Sequence, residues 1–467
     1  MQLPRNPSKH STYWIESPNG SLRLTHYLFK FPAKFHPPIV RWVLDRFGRK
    51  GSILLDPFNG SGTVQVEALA RGISSVGVDI DPVACFIARA KTTPLDPKDI
   101  QQGLARVQKK VAPYMAAHAT EESRPGADIT QRRFDREVRG LSIPPIPNIT
   151  HWFRRYVIVD LGVLFAVVEQ ARLSAPLRLF LKACIGSIIR NVSNADPAPV
   201  SGLEVTSVQA KKNASRRIPV FKTFFRKVKD AITGMAQLSE AHLLQKCPAS
   251  AWVVQGDALH LGAVLGRRGL PEADYPLVVT SPPYCRAVEY SRRHSLEMYW
   301  LGFIDSQEQH IALTHRYLGR KLVRKSDWND DQSFGVEALD AAIESIAERD
   351  PSKARTARHY FAHMKEFLAS LHCIVARQGT VVLVLGDSVC CKVPIRTAAH
   401  VGALASEHFA LTNSFSYAIR NQYMQYGLWN GDGIREEHVL ILKPRRREIR
   451  RASCTSCRTT ILPATRG

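Results

Sequence analysis

The chain has no run of about twenty apolar residues, so no transmembrane helix is expected. Its opening stretch, Met1 to Asn19, is polar and proline-containing, without the apolar core of a secretory signal. Its nine cysteines follow no regular spacing, and Cys85, Cys184 and Cys373 sit in apolar contexts. That argues against a disulfide framework and for a reduced, cytoplasmic protein. The pair Cys454 and Cys457 stands alone, and a zinc site needs two more ligands, so no metal is expected. Internal repeats are absent, which argues against a solenoid. Acidic residues are scarce: 41 Asp plus Glu stand against 64 Lys plus Arg, a net charge of +23. Such an imbalance favours a polyanionic partner, yet it is blind to sequence because phosphate contacts are. Some of it lies in a tail containing Arg445, Arg446, Arg447, Arg450 and Arg451, which solubility alone would explain. The stretch from Lys211 to Lys229 is internal, and a tail cannot account for it.

What is present reads as an α/β protein. At 467 residues and 45% hydrophobic, the chain can bury one large domain with a sizeable insertion. Ser52 to Asp56 is a short apolar strand pattern, followed by a glycine turn and a helical pattern from Thr63 to Arg71. Ser75 to Asp79 is a second strand, and another helix begins near Pro82. Strand, glycine turn, helix, strand with an acidic end opens a nucleotide-binding sheet of Rossmann-like type. The pattern then breaks. Residues 96–250 read as helices and loops: Ile100 to Val111 stopped by Pro113, Tyr156 to Arg172, Pro176 to Arg190 and Phe221 to Gln237. The sheet resumes at Trp252 to Gln255 and Leu277 to Thr280. A long amphipathic helix is expected over Ala287 to Leu301. Thr380 to Gly386 is the most apolar strand, and Phe409 to Phe415 with Glu437 to Leu442 could close the sheet as an antiparallel hairpin. The expected division is 1–95 as the first part of the core and 96–250 as a helical insertion. Residues 251–444 form the second part, with a smaller insertion near 305–353, and 445–467 form a basic tail.

Two segments carry chemistry. The first runs Asp56-Pro57-Phe58-Asn59-Gly60-Ser61-Gly62-Thr63. Glycines at a strand-to-helix turn let backbone approach a ligand, and the helix start offers unpaired N–H groups. Asp56 would repel a pyrophosphate; it suits a ligand with a free ammonium. Asp79 ends the next strand, where a carboxylate can accept from ribose hydroxyls, with Ile80 beside it. Asp257, followed by Ala258, could accept from an adenine amine. Each acid taken alone is equally well read as a strand-end or cap residue. The second segment is Thr280-Ser281-Pro282-Pro283-Tyr284. An amine on an aromatic base is a poor nucleophile because its lone pair is delocalised. Two acceptors gripping its protons, the Ser281 hydroxyl and the Pro282 carbonyl, would turn the nitrogen towards tetrahedral. Consecutive prolines hold that carbonyl in place. Tyr284 offers a flat face for an extruded base, and phenylalanine there is expected to keep most of that role.

Both segments sit at strand ends, and together they resemble the DNA amino-methyltransferases, with a D-P-F-x-G-x-G-T cofactor loop and a [DNS]-P-P-[YFW] catalytic loop. Serine in the first position of the catalytic loop resembles the cytosine-N4 branch. Phe31-Pro32-Ala33-Lys34-Phe35-His36-Pro37 is similar to the family's segment over the methionyl end of the cofactor. The resemblance implies S-adenosyl-L-methionine as cofactor, held by Phe31, Lys34, His36, Asp56, Pro57, Phe58, Gly60, Gly62, Thr63, Asp79, Ile80, Asp257 and Ala258. It implies Ser281, Pro282, Pro283 and Tyr284 as catalytic residues and double-stranded DNA as partner. In a restriction–modification system a cognate endonuclease would accompany it. The resemblance omits both insertions, and the large insertion before the third strand departs from the family's usual arrangement. Adenine-N6 transfer, an RNA base amino-methyltransferase, a protein glutamine methyltransferase and a decayed nucleic-acid-binding fold remain alternatives. Arg292, Arg293 and His294 read either as phosphate contacts or as a solvated helix face.

Overall fold

The computed structural model describes residues 3–15, 23–32, 34–196, 203–245, 248–267, 269–271, 274–285, 290–320, 323, 332–418 and 436–446. Ten strands are present among them: β1 (Thr12–Trp14), β2 (Ile53–Asp56), β3 (Ser74–Asp79), β4 (Ala251–Gln255), β5 (Tyr275–Thr280), β6 (Val375–Gly386), β7 (Ser388–Cys390), β8 (Val393–Ile395), β9 (Phe409–Ala418) and β10 (Glu436–Pro444). Eight form one sheet in the order β1-β9-β10-β6-β5-β2-β3-β4. All neighbours pair parallel except β10, which is antiparallel to both β6 and β9. Chain order runs outward in one direction through β2, β3 and β4, and in the other from β5 to β6. The reversal between β2 and β5 opens a crevice at their carboxyl ends, where ligands of such sheets bind. This is a Rossmann-like sheet with helices on both faces.

Strands buried on both faces are mostly apolar, as β2, β5 and the second half of β6 are. The pleat sends alternate residues to opposite cores. Val381, Leu383 and Leu385 of β6 join Leu440 and Leu442 under helices Pro351–His372 and Thr397–Ala405. Val382 and Val384 join Val439, Ile441 and helix Pro37–Phe47 on the other face. The antiparallel closing pair β9 and β10 stands where the alternation placed it. The edge strand β1 and the small hairpin of β7 and β8 have patterns too short to be read in sequence.

Among the described residues of 96–250 there is no strand. The helices Pro97–Ala117, Arg155–Gln170, Ala175–Val192 and Val220–Leu243 share one apolar cluster with Phe29 and with helix Pro82–Lys91 of the sheet. Pro113 does not stop the first of these helices, which runs on to Ala117. A proline removes one backbone donor and crowds one carbonyl. Val107 and Val111, buried one turn apart, keep the helix seated up to it. The expected helix over Ala287 to Leu301 is instead two short ones, Tyr290–Arg293 and Ser295–Trp300, interrupted at His294 (residues 286–289 lie outside the described set). At the junction the buried His294 ring meets Asp81 at 3.1 Å. No described helix is long and apolar enough to cross a membrane.

Candidate active site

Most of what the sequence marked at strand ends lies along the carboxyl ends of β2, β3, β4 and β5. Asp56 closes β2 and Thr280 closes β5. The Thr280 hydroxyl donates to Asp56 Oδ1 at 2.7 Å and so ties the two strand ends together. Phe58 N–H donates to the same carboxylate at 3.3 Å. Asp79 closes β3 and accepts from the backbone N–H of Gly60 at 2.7 Å and of Asp81 at 2.9 Å. Asp81 in turn caps helix Pro82–Lys91, accepting from Val83 and Ala84, with proline at the first helical position. The loop of residues 57–62 is therefore strapped to the strand beside it by its own backbone.

A cavity of about 900 Å³ to its open mouth lies over these ends. Phe31, Lys34, Asp56, Pro57, Phe58, Gly60, Thr63, Asp79, Ile80, Asp257 and Ala258 line it, together with Ser281 and Pro283 of the second segment. Four candidates do not. Gly62 has φ +75°, and a Cβ there would stand 2.8 Å from Ala88 Cβ. Its lack of a side chain serves the packing of helix Thr63–Leu69 on helix Pro82–Lys91. His36 occupies the N-cap position of helix Pro37–Phe47 and stacks on Tyr417, ring centroids 6.1 Å apart. Burial pushes the His36 pKa down to about 4, so its imidazole is neutral. Pro282 is buried, and Tyr284 faces Glu437 rather than this cavity.

Burial dominates the electrostatics. It pushes the carboxyls of Asp56 and Asp79 up to about 7 and the Lys34 ammonium down to about 8. Asp257 caps the next short turn through Leu259 N–H at 3.0 Å and stays partly exposed. Beneath the loop, the fully buried Lys91 ammonium donates to the Ser61 carbonyl at 2.6 Å.

Several residues here carry no sequence signal of their own. Tyr290 stacks on Phe31, centroids 5.8 Å apart. Arg316, Tyr317 and Leu318, from the smaller insertion, close another wall. Glu437, at the start of β10, accepts from the Tyr284 hydroxyl at 2.5 Å and from the Tyr417 hydroxyl. Burial pushes the phenol of Tyr284 well above its usual range, and the adjacent Glu437 raises it further. Tyr284 is thus held by its hydroxyl, so phenylalanine at 284 would keep the flat face and lose the anchor. Of the three residues read as phosphate contacts or a solvated face, Arg293 and His294 are buried, and only Arg292 is exposed, paired with Glu204 at 3.2 Å. In the basic stretch, Arg216 donates to the Ser193 carbonyl and Lys227 to that of Tyr27, while Lys211, Lys212, Arg217, Lys222, Arg226 and Lys229 are exposed. Cys85 and Cys184 are buried, but Cys373 is exposed at the end of its helix, against the expectation. Cys454, Cys457 and the arginines from Arg447 onward lie outside the described residues.

The donor set suits a zwitterionic nucleoside. Three carboxylates at the ends of adjacent strands, one lysine, and aromatic walls from Phe31, Phe58 and Tyr290 can meet an ammonium, a diol, an adenine amine and a carboxylate. These are the groups of S-adenosyl-L-methionine.

Residues 4–90 match the family described as DNA methylase. The chain is 26% identical over 174 residues to the type II methyltransferase M.MvaI of Kocuria varians, covering 37% of this chain and 35% of that protein. It is 23% identical over 292 residues to the type II methyltransferase M.BsoBI of Geobacillus stearothermophilus, 59% of this chain and 52% of the relative. To the type II methyltransferase M.MjaII of Methanocaldococcus jannaschii it is 35% identical over 89 residues, 19% and 17% of the two chains. The chain spans about half or less of the length of these relatives.

Proposed function

Because the chain is a relative of the DNA amino-methyltransferase family, whose cofactor is S-adenosyl-L-methionine, we propose that it methylates the N4 amine of cytosine in double-stranded DNA. The observation that carries this reading is the bond between Thr280 and Asp56, which joins the end of the cofactor loop's strand to the start of Ser281-Pro282-Pro283-Tyr284. The two segments share one crevice, so a bound donor and an amine acceptor would face each other across it.

Asp79 would hold the ribose hydroxyls, Asp257 the adenine amine, Asp56 the ammonium and Lys34 the carboxylate. When bound, the cofactor supplies an electrophilic methyl on a sulfonium. The chain's own part is to prepare the amine. The Ser281 hydroxyl and Pro282 carbonyl accept hydrogen bonds from its two N–H groups, which draws the nitrogen's lone pair out of the ring; the methylated amine then releases one proton to solvent. Fixed acceptors need no reorganisation during transfer. Tyr284 stacks on the extruded base, and Glu437 holds that ring in place. Serine at 281 is the basis for choosing cytosine. The exposed lysines and arginines from Lys211 to Lys229 supply contacts to the DNA backbone. The relatives' type II designation makes a cognate restriction endonuclease the partner to seek.

The test is incubation of purified protein with methyl-labelled cofactor and DNA, RNA or protein in separate arms. Label in DNA supports the reading; label only in RNA or protein refutes it.

A further inference from the structure

A second cavity, about 860 Å³ to its open mouth, is lined by Arg320, Arg355, Arg358 and three histidines, His315, His359 and His363. Four of these share one face of helix Pro351–His372, at positions 355, 358, 359 and 363. Arg320 meets them from the segment whose Leu318 lines the first cavity. Its neighbour Gly319 rests on the catalytic loop: a Cβ there would stand 3.0 Å from the Tyr284 carbonyl and 3.8 Å from the ring of Tyr360, the residue after His359. The second cavity therefore adjoins the catalytic loop.

Arg320 sets the hydrogen-bonding sense of the lining. Its Nη1 is 3.0 Å from His315 Nδ1, and its Nη2 is 3.1 Å from His359 Nε2. A guanidinium can only donate, so both ring nitrogens accept, and each imidazole carries its proton on the other nitrogen. The His363 ring packs 4.0 Å from that of His359. Among the described residues no carboxylate lines this cavity, and Gln332 is its one neutral amide. These side chains also engage other groups of the chain, and a guanidinium with five N–H donors can divide them between partners. Three guanidinium forks and three imidazoles lining one cavity are suited to a tetrahedral oxyanion.

We propose that this cavity seats a backbone phosphate of the nucleic-acid strand whose base enters the catalytic loop. The inference rests on the DNA reading above. The phosphate anchors the strand beside Tyr284 and carries no sequence information itself.

The experiment is DNA binding by fluorescence anisotropy across a salt series, for wild type, R355Q/R358Q, R320Q and R355K/R358K. In the glutamine variants the slope of log affinity against log salt should shrink by about 0.9 for each phosphate no longer neutralised. The loss should be equal on unrelated duplexes, and the lysine variant should keep the slope. Cofactor affinity, measured alongside, should stay unchanged and so report intact folding; R355Q/R358Q alters only half-buried side chains, should R320Q fail to fold. Unchanged slope and affinity in folded glutamine variants, with wild type binding DNA, overturns the phosphate seat and leaves the DNA reading standing. If wild type binds no DNA, yet inorganic phosphate raises its melting temperature and R355Q/R358Q abolishes the rise, the strand is overturned as the source of the anion, and the DNA reading fails with it.

Discussion

Replacing Gly62 with alanine should damage the fold, whereas replacing Gly60 should chiefly damage the ligand site. Both glycines have positive φ, +75° at Gly62 and +48° at Gly60. An L-residue in that region loses about 1–2 kcal/mol. At Gly62 a second cost is added. The new Cβ would lie 2.8 Å from Ala88 Cβ and 3.0 Å from Ala88 Cα, both on the helix it packs against. Neither atom is the end of a flexible side chain, so the two helices must separate, at about 1–3 kcal/mol for overpacking. The total for G62A is about 2–5 kcal/mol. At Gly60 the nearest heavy atom is Phe31 Cε1 at 3.7 Å, an ordinary contact, so only the backbone term of about 1–2 kcal/mol applies. Gly60, however, lines the cavity, as does Phe31, so the added methyl takes up room at the ligand site. Denaturant unfolding without ligand gives the stabilities, and calorimetric titration with S-adenosyl-L-methionine gives the affinities. G60A should lose affinity while remaining the more stable of the two. A G62A protein as stable as wild type would refute the packing argument.

Asp79→Ala should weaken cofactor binding by about 1–3 kcal/mol through lost hydrogen bonds to the ribose; unchanged affinity by calorimetry removes Asp79 from the site. Cofactor affinity should be greatest between about pH 7 and pH 8; it should fall towards acid, and again towards alkali as the Lys34 ammonium, held near 8, loses its proton. Asp56, with its carboxyl at about 7, must lose its proton before it can pair with an ammonium, so the fall approaches about tenfold per pH unit. The same raised carboxyls should lower stability as pH climbs from 3.8, the ordinary value, to about 7, because the folded state holds protons that the unfolded chain has released. A flat affinity profile between pH 5 and pH 8, on the order of three units, would contradict the coupling. Tyr284→Ala should lose a base stack worth about 1–3 kcal/mol. Tyr284→Phe and Glu437→Gln should share an intermediate loss in kcat, and the double variant should be no worse than Tyr284→Phe alone; additive losses would separate Glu437 from the tyrosine.

The parts of the site legible in sequence are those whose chemistry is local. Asp56, Gly60 and Asp79 announce themselves through a glycine turn and an acidic strand end. The sheet was legible because β2, β3, β5 and β6 are short, apolar and bounded by turns. Gly62 looked like a ligand contact because a glycine's need for space does not say what occupies it; only Ala88, 26 residues on, does. Glu437 is separated from Tyr284 by 153 positions, and nothing in its own strand pattern distinguishes a carboxylate that receives two phenols from one that faces water. His294 was read with its neighbours as one helix because its partner Asp81 lies 213 positions away. Tyr317 and Leu318 lie between the helices Gln307–Thr314 and Glu337–Ala347 of the smaller insertion, where no periodic pattern marks a buried face.

The most direct test of the central claim is nucleoside analysis of plasmid DNA incubated with the purified protein and labelled S-adenosyl-L-methionine. The account predicts label in N4-methylcytosine, abolished by substitution of Ser281 and reduced by substitution of Asp79. Label only in N6-methyladenine would contradict the cytosine assignment while sparing the amine chemistry. DNA left unlabelled under conditions where the cofactor binds would contradict the account itself.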